Sequence, residues 1–142
     1  MVRIHPPQPG RRSNCLRWIV MPAKILIVDD DPVARHIAHT LLKANGYATT
    51  IASDAMGALA ETQRQRPDLI ILDLGLPAGG GFNYLQRKRS LPQISLIPVL
   101  VISGQDRATS EARAIEAGAS AYLQKPAADD AVLAKVRELL GQ

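Results

Sequence analysis

Three consecutive carboxylates, Asp29-Asp30-Asp31, follow the apolar run Ile25-Leu26-Ile27-Val28, and a lone Asp73 follows a second run, Leu69-Ile70-Ile71-Leu72. Carboxylates repel one another, and holding them near an apolar core is costly without a compensating cation. Two such run ends meeting in space would make an anionic pocket for a hard divalent ion, with Mg2+ the expected one. Asp73 is a candidate nucleophile, because a carboxylate can take up a phosphoryl group as an acyl phosphate. The other acids would hold the metal, which screens the incoming phosphate and neutralises charge in the transition state. Ser103 offers a hydroxyl to one phosphoryl oxygen. Lys125 offers a compact positive charge to another, or to the free carboxylates.

The elements that must position these groups follow from the apolar pattern. Residues 24–28 read as a buried strand, and Asp31-Pro32 then places a capping residue before a proline at the first helical position. Val33, Ile37, Leu41 and Leu42 recur at helical spacing until Asn45-Gly46 stops the helix. Residues 47–52 form a short strand, and Ser53 or Asp54 caps a second helix carrying Met56, Leu59 and Ala60. A strand over 68–73, a loop over 74–81 and a short helix over 82–89 come next. The strand over 97–103 precedes a helix over 106–117 that ends at Gly118. A last strand covers 121–124, and a helix runs from about 129 to 140 after Pro126.

Five alternating strand–helix units with near-continuous apolar strands predict a parallel sheet covered on both faces. Right-handed crossovers make it a doubly wound α/β sheet, with a site at the carboxyl ends of its strands. Asp29, Asp30, Asp73, Ser103 and Lys125 all fall at or just after those ends. Singly, each has an ordinary reading: an aspartate or serine after a strand is a turn or cap residue, Lys125 is solvated, and Pro126 starts a helix. Jointly, on four strand ends, they favour a functional site.

The chain is long enough, at 142 residues, for one domain with a single core. Its formal charge of +4 is unevenly spread. Residues 1–20 hold Arg3, Arg11, Arg12 and Arg17 and no acid, whereas the rest of the chain carries 13 side chains of each sign. The basic balance therefore describes a tail and does not argue for direct nucleic-acid binding. That tail reads as a disordered extension or as an over-extended start, with Met21 a natural beginning. An anchor for nucleic acid or anionic lipid is the sharper alternative. Its short apolar piece does not make a signal-peptide core, nor does Arg11-Arg12 make a twin-arginine signal without one. Cys15, the single cysteine, excludes a disulfide within the chain and suits a reducing cytosol, so a cytoplasmic location is expected. No stretch approaches a membrane span.

Over about residues 23–140 the sequence resembles the receiver domain of two-component response regulators, in its stand-alone, chemotaxis-regulator-like form. The matching residues are Ile25-Leu26-Ile27-Val28-Asp29-Asp30, Asp73 with Pro77 four residues on, Ser103-Gly104, and Lys125-Pro126. The resemblance implies a flavodoxin-like (βα)5 sheet of strand order 2-1-3-4-5. It makes Asp73 the phosphorylated residue and Asp29 and Asp30 the acidic pair. Asp30 and Asp73 would bind Mg2+ through carboxylates, Gly75 through its backbone carbonyl, and Asp29 mainly through metal-bound water. Ser103 matches the switch hydroxyl, Tyr122 the switch aromatic that turns inward on phosphorylation, and Lys125 the phosphate-contacting lysine. The Lys125-Pro126 peptide is expected to be cis, and Asp31 to serve only as a helix cap.

The implied donor is a histidine kinase or histidine phosphotransfer protein. The implied output is a protein-binding surface made by the last two helices and the strand between them, on a monomer or a phosphorylation-dependent dimer. No enzyme activity is expected beyond the chain's part in its own phosphorylation and dephosphorylation, and no output domain is expected. Three departures stand out: Gly75 has no side chain, Gly79-Gly80-Gly81 replaces a more usual Asp-Gly and suggests a looser loop, and Ala127 stands where an aromatic is frequent. Two other readings remain: a receiver-like binding module that does not use phosphorylation, and a haloacid-dehalogenase-like phosphatase with Asp29 as nucleophile, since Asp29-Asp30-Asp31-Pro32-Val33 fits Asp-x-Asp-x-Val.

Overall fold

A computed structural model describes residues 3–5 and 19–142. Its first strands, β1 (Arg3–His5) and β2 (Ile19–Met21), pair antiparallel as a separate ribbon, with Arg3 opposite Met21. Residues 1–2 and 6–18, which include Cys15 and Arg11-Arg12, lie outside the described residues. The expected disordered extension falls largely on them.

From Lys24 onward strand and helix alternate: β3 (Lys24–Val28), α1 (Pro32–Ala44), β4 (Ala48–Ala52), α2 (Ala55–Gln65) and β5 (Leu69–Leu72). A 3-10 turn at Pro77–Gly79 leads into α3 (Gly80–Arg89), followed by β6 (Val99–Ser103), α4 (Arg107–Glu116), β7 (Ala121–Gln124) and α5 (Asp129–Leu140). The sheet is parallel throughout, in the order β4-β3-β5-β6-β7, which is 2-1-3-4-5 among its own strands. The order reverses at β3, so a crevice opens between the carboxyl ends of β3 and β5.

Side chains alternate across these strands and build a core on each face. Leu26, Val28, Ile70 and Leu72 face Ala58 of α2, Tyr84 and Leu85 of α3, and Ala114 of α4. Ile25, Ile27, Leu69 and Ile71 face Leu42 of α1 and Val132, Leu133 and Val136 of α5. The helices start where the sequence places their caps. The Asp31 carboxylate accepts the Val33 N–H at 3.0 Å, and the Asp54 carboxylate accepts the Gly57 N–H at 2.6 Å. Among the described residues no helix is long and apolar enough to cross a membrane.

The structure departs from the sequence reading in two places, and it also buries a lysine. The stretch 74–81 is not a loose loop: α3 begins at Gly80, two residues early, and Gly81 is packed so tightly that a Cβ there would lie 2.7 Å from the Leu74 Cα. Only glycine allows that approach, which fixes the chain just after Asp73. The apolar stripe of α1 is buried at its C-terminal end by Leu42, yet Val33 and Ile37 remain 63% and 58% exposed. Lys88, in the last turn of α3, is 3% exposed, and its ammonium donates to the Ser95 carbonyl at 3.1 Å.

Burial pushes the Lys88 amine down to about 8, since an ammonium in that site loses its hydration. The unfolded chain therefore binds the proton more strongly, and stability rises with pH from about 8 to the ordinary lysine value. Lys88→Met should remove that slope and, at pH 7, stabilise the fold by ~2 kcal/mol. Thermal melts of both proteins at pH 7 and pH 10 check it; a variant less stable at pH 7 with an unchanged slope would show the buried ammonium to be favourable.

Candidate functional site

Parallel register creates the site. Val28 of β3 pairs with Leu72 of β5, so the next residues, Asp29 and Asp73, emerge side by side. Backbone bonds fix both: the Asp29 N–H donates to the Ala52 carbonyl and the Asp73 N–H to the Val28 carbonyl. One oxygen each from Asp29, Asp30 and Asp73 can be chosen so that all three lie within 4.8 Å of one another, a spacing that suits oxygen ligands of a single hard cation. Asp29 is buried, Asp73 is partly buried and Asp30 is open to solvent.

Lys125 leans into this cluster from the end of β7. Its ammonium lies 3.2 Å from the Asp29 Oδ2 and 3.5 Å from the Asp73 Oδ2. Of the remaining oxygens, Asp29 Oδ1 accepts the Asp31 N–H and Asp73 Oδ1 accepts the Gly75 N–H, each at 2.9 Å. The Lys125–Pro126 peptide bond is cis. A Cβ on Gly75 would come 3.3 Å from Asp73 Oδ1, so the glycine leaves the space over that carboxylate open.

One cation serves two buried or half-buried carboxylates, and the titrations reflect it. Burial raises the Asp73 carboxyl above the usual value and the Asp29 charge adds to this; the Gly75 N–H and Lys125 oppose it without cancelling it. Burial would lower the Lys125 ammonium, but the attraction of Asp73 and Asp29 prevails and raises it. Lys125 thus stays charged while Asp73 remains short of positive charge. A divalent cation beside Asp29, Asp30 and Asp73 fits that deficit and the all-oxygen donor set.

Ser103 and Tyr122 are brought together through a residue that sequence reasoning missed. Ser103 is fully buried, and its hydroxyl accepts the Gln105 N–H at 3.1 Å. The Tyr122 hydroxyl donates to the Gln105 carbonyl at 2.9 Å, with the ring already inward and 3% exposed. Ser103 thus holds the N–H side of Gln105 and Tyr122 its carbonyl side. Arg35 was missed as well; its guanidinium donates to the Asp29 carbonyl at 2.8 Å and ties α1 to the end of β3. Its place one helical turn after Asp31 was the available signal. Gln105 offered none beyond its position two residues after Ser103. The Asp31 carboxylate caps α1 and is not one of the three grouped acids, while its N–H holds Asp29 Oδ1.

Residues 25–137 match the family model described as the response regulator receiver domain. Among curated proteins, the response regulator MprA of Mycobacterium sp. (strain KMS) is 36% identical over 120 residues, which are 84% of this chain and 51% of that protein. The KDP operon transcriptional regulatory protein KdpE of Escherichia coli (strain K12) is 37% identical over 116 residues, 82% of this chain and 50% of that one. The chain thus spans about half the length of these curated relatives. Among solved structures, chemotaxis protein CheY4 of Vibrio cholerae superposes with a TM-score of 0.78 at 29% identity, covering 83% of this chain and 98% of that one. With the sheet order, the family match and the acids standing at adjacent strand ends, the chain belongs to the response regulator receiver-domain family.

Proposed function

We propose that this chain is a phosphoryl-accepting signalling module of the cytoplasm. Its donor is a histidine kinase or histidine phosphotransfer protein, and its output is a changed protein-binding surface over α4, β7 and α5. The observation that carries this reading is Asp73: a carboxylate with 13% of its side chain exposed, grouped with two further acids and 3.5 Å from a lysine. In the transfer, an Asp73 carboxylate oxygen forms a bond to phosphorus as the phosphorus–nitrogen bond of the donor's phosphohistidine breaks. The imidazole leaves with that electron pair. Lys125 lies beside Asp73 Oδ2 to meet the charge of the arriving phosphoryl oxygens, and Mg2+ held by Asp29, Asp30 and Asp73, with the Gly75 carbonyl, would supply further charge neutralisation. The chain contributes to gain and loss of its own phosphoryl group and turns over no other substrate.

The phosphatase reading needs Asp29 as a free nucleophile. Asp29 is the more deeply buried of the two acids and the one closer to Lys125, at 3.2 Å against 3.5 Å for Asp73, and the receiver-domain match over residues 25–137 supports Asp73 as the acceptor. Asp31, the partner acid of that scheme, has one oxygen taken up in capping α1. A phosphorylation-independent binding module would leave the raised Asp73 carboxyl and the paired Lys125 without a purpose.

Acetyl phosphate with Mg2+ should add one phosphoryl group to the chain, read by intact mass. Asp73→Asn should abolish the addition, Lys125→Met should slow it ~100-fold, and Asp31→Asn should leave it intact. Labelling of the Asp73→Asn protein at the wild-type level would overturn the assignment. Mg2+ with beryllofluoride should also shift backbone resonances of α4, β7 and α5; unchanged resonances would favour the phosphorylation-independent module.

A separate expectation concerns stability. Because the folded state raises the Asp73 carboxyl, ionised Asp73 favours unfolding at pH 7, and the penalty fades as pH falls toward the ordinary carboxylate value. Without metal, Asp73→Asn should melt higher than wild type at pH 7 and no higher near pH 4. Mg2+ at about 100 times its Kd should stabilise wild type by about 2.7 kcal/mol and Asp30→Asn much less. Equal Mg2+ stabilisation of the two proteins would remove Asp30 from the ligand set.

A further inference from the structure

Behind the acid cluster the surface does not close. A groove of about 320 Å³ runs between α1 and α5, with Ile102 at its base and Ala34, Ala38, Val132 and Ala127 along its sides. Three of those side chains are single methyl groups, and they leave space that larger residues would fill. Ile37, more than half exposed, also lines the groove. The volume is within the range of small-molecule sites and admits roughly ten heavy atoms, at about 30 Å³ for each water-sized unit.

The mouth of the groove carries a definite charge. Asp29, Asp31, Asp73 and Asp129 line it against one cation, Lys125. Lys125 is committed to Asp29 and Asp73, so the exposed Asp31 and Asp129, at the starts of α1 and α5, face an entering ligand without a cation between them. With Asp29 and Asp73 taken up by Lys125 and by the proposed cation, the carboxylates left to meet a ligand entering the groove are Asp31 and Asp129.

We propose that this groove binds a small amphiphilic amine. Its alkyl or aryl body lies along Ile37, Ala38 and Ala127, and its ammonium group meets Asp31 and Asp129. Binding stands on the groove alone. Its consequence, an occupant beside Asp73 that hinders phosphoryl access, rests on the function proposed above.

The full chain titrated with n-hexylammonium, with Mg2+ saturating, tests this by amide NMR. Saturable shifts are expected at Ala34, Ile37, Ala38 and Ala127, with hexanoate at least ~10-fold weaker. Ala127→Phe and Ala38→Leu, which fill the space, should each weaken the amine ~10-fold or more while the other amide peaks stay dispersed. Asp129→Asn should weaken it several-fold and leave the response to 1-hexanol unchanged. Non-saturable shifts, hexanoate binding as well as the amine, or undiminished binding by a folded groove-filled variant would overturn the proposal. If filling disrupts folding, the amine–carboxylate comparison on wild type decides alone. Labelling of Asp73 by acetyl phosphate, followed in parallel, separates the two readings: amine binding without slower labelling leaves the site and removes its regulatory consequence, and absent labelling removes the phosphoryl reading only.

Discussion

Two carboxylates on neighbouring parallel strands share one lysine, and the rest of the site follows from that shortage of charge. The register Val28–Leu72 leaves Asp29 and Asp73 no choice of position. At an effective dielectric near 20, two unit charges about 4 Å apart interact by ~4 kcal/mol. Lys125 can offset the excess of one acid, not of both. Asp30 adds a third carboxylate within reach. On the proposed function, the site gains a cation and, after that, an anionic group that Lys125 can face. Fixing the backbone of such a cluster requires support from outside it: Arg35 holds the Asp29 carbonyl, and the tight contact of Gly81 with Leu74 holds the chain beyond Asp73.

The proposed route from this cluster to a distant surface runs through the two peptide units that flank the Gln105 Cα. The Gln105 N–H is held by Ser103 and the Gln105 carbonyl by Tyr122, so the start of α4 reports on both side chains at once. A new acceptor that drew the Ser103 hydroxyl away would free the Gln105 N–H and shift the anchor of the Tyr122 ring. Since Tyr122 is already inward here, the proposed response does not require the ring to travel from solvent to core. A displacement of the 104–106 segment relative to a ring that stays buried is sufficient. Such a change is a shift between two packings, biased by charge at the acid cluster.

Much of this was legible in the sequence, and the reasons are physical. Buried parallel strands announce themselves as unbroken aliphatic runs, and the residue following such a run must lie at the sheet's carboxyl edge. Asp31-Pro32 declares a helix start without tertiary information. The features that were not legible depend on packing partners distant in sequence. Val33 and Ile37 keep helical spacing with Leu41 but remain more than half exposed. Lys88 sits among the basic residues that end α3, a place where a lysine ordinarily reaches water, yet the segment leading to β6 closes over it. Gly79-Gly80-Gly81 looks like a slack loop by composition, while the close approach of Leu74 makes the last glycine a packing residue. Ser103 and Tyr122 are identifiable singly; the Gln105 backbone N–H and carbonyl that join them are features that no residue type encodes.

Lys88 and Asp73 together show what separates a site from a buried charge. Burial moves both toward neutrality, Lys88 down to about 8 and Asp73 upward. On that criterion alone Lys88 would rank beside Asp73. Its surroundings differ: the Lys88 ammonium meets a single backbone carbonyl, and among the described residues no second titratable group is paired with it. Asp73 meets two carboxylates and a lysine, from the ends of β3 and β7, at the point where the strand order reverses. A perturbed group with one neutral partner can only change its own protonation with pH. A perturbed group with convergent charged partners can exchange one counter-charge for another, which is what accepting a metal and a phosphoryl group requires.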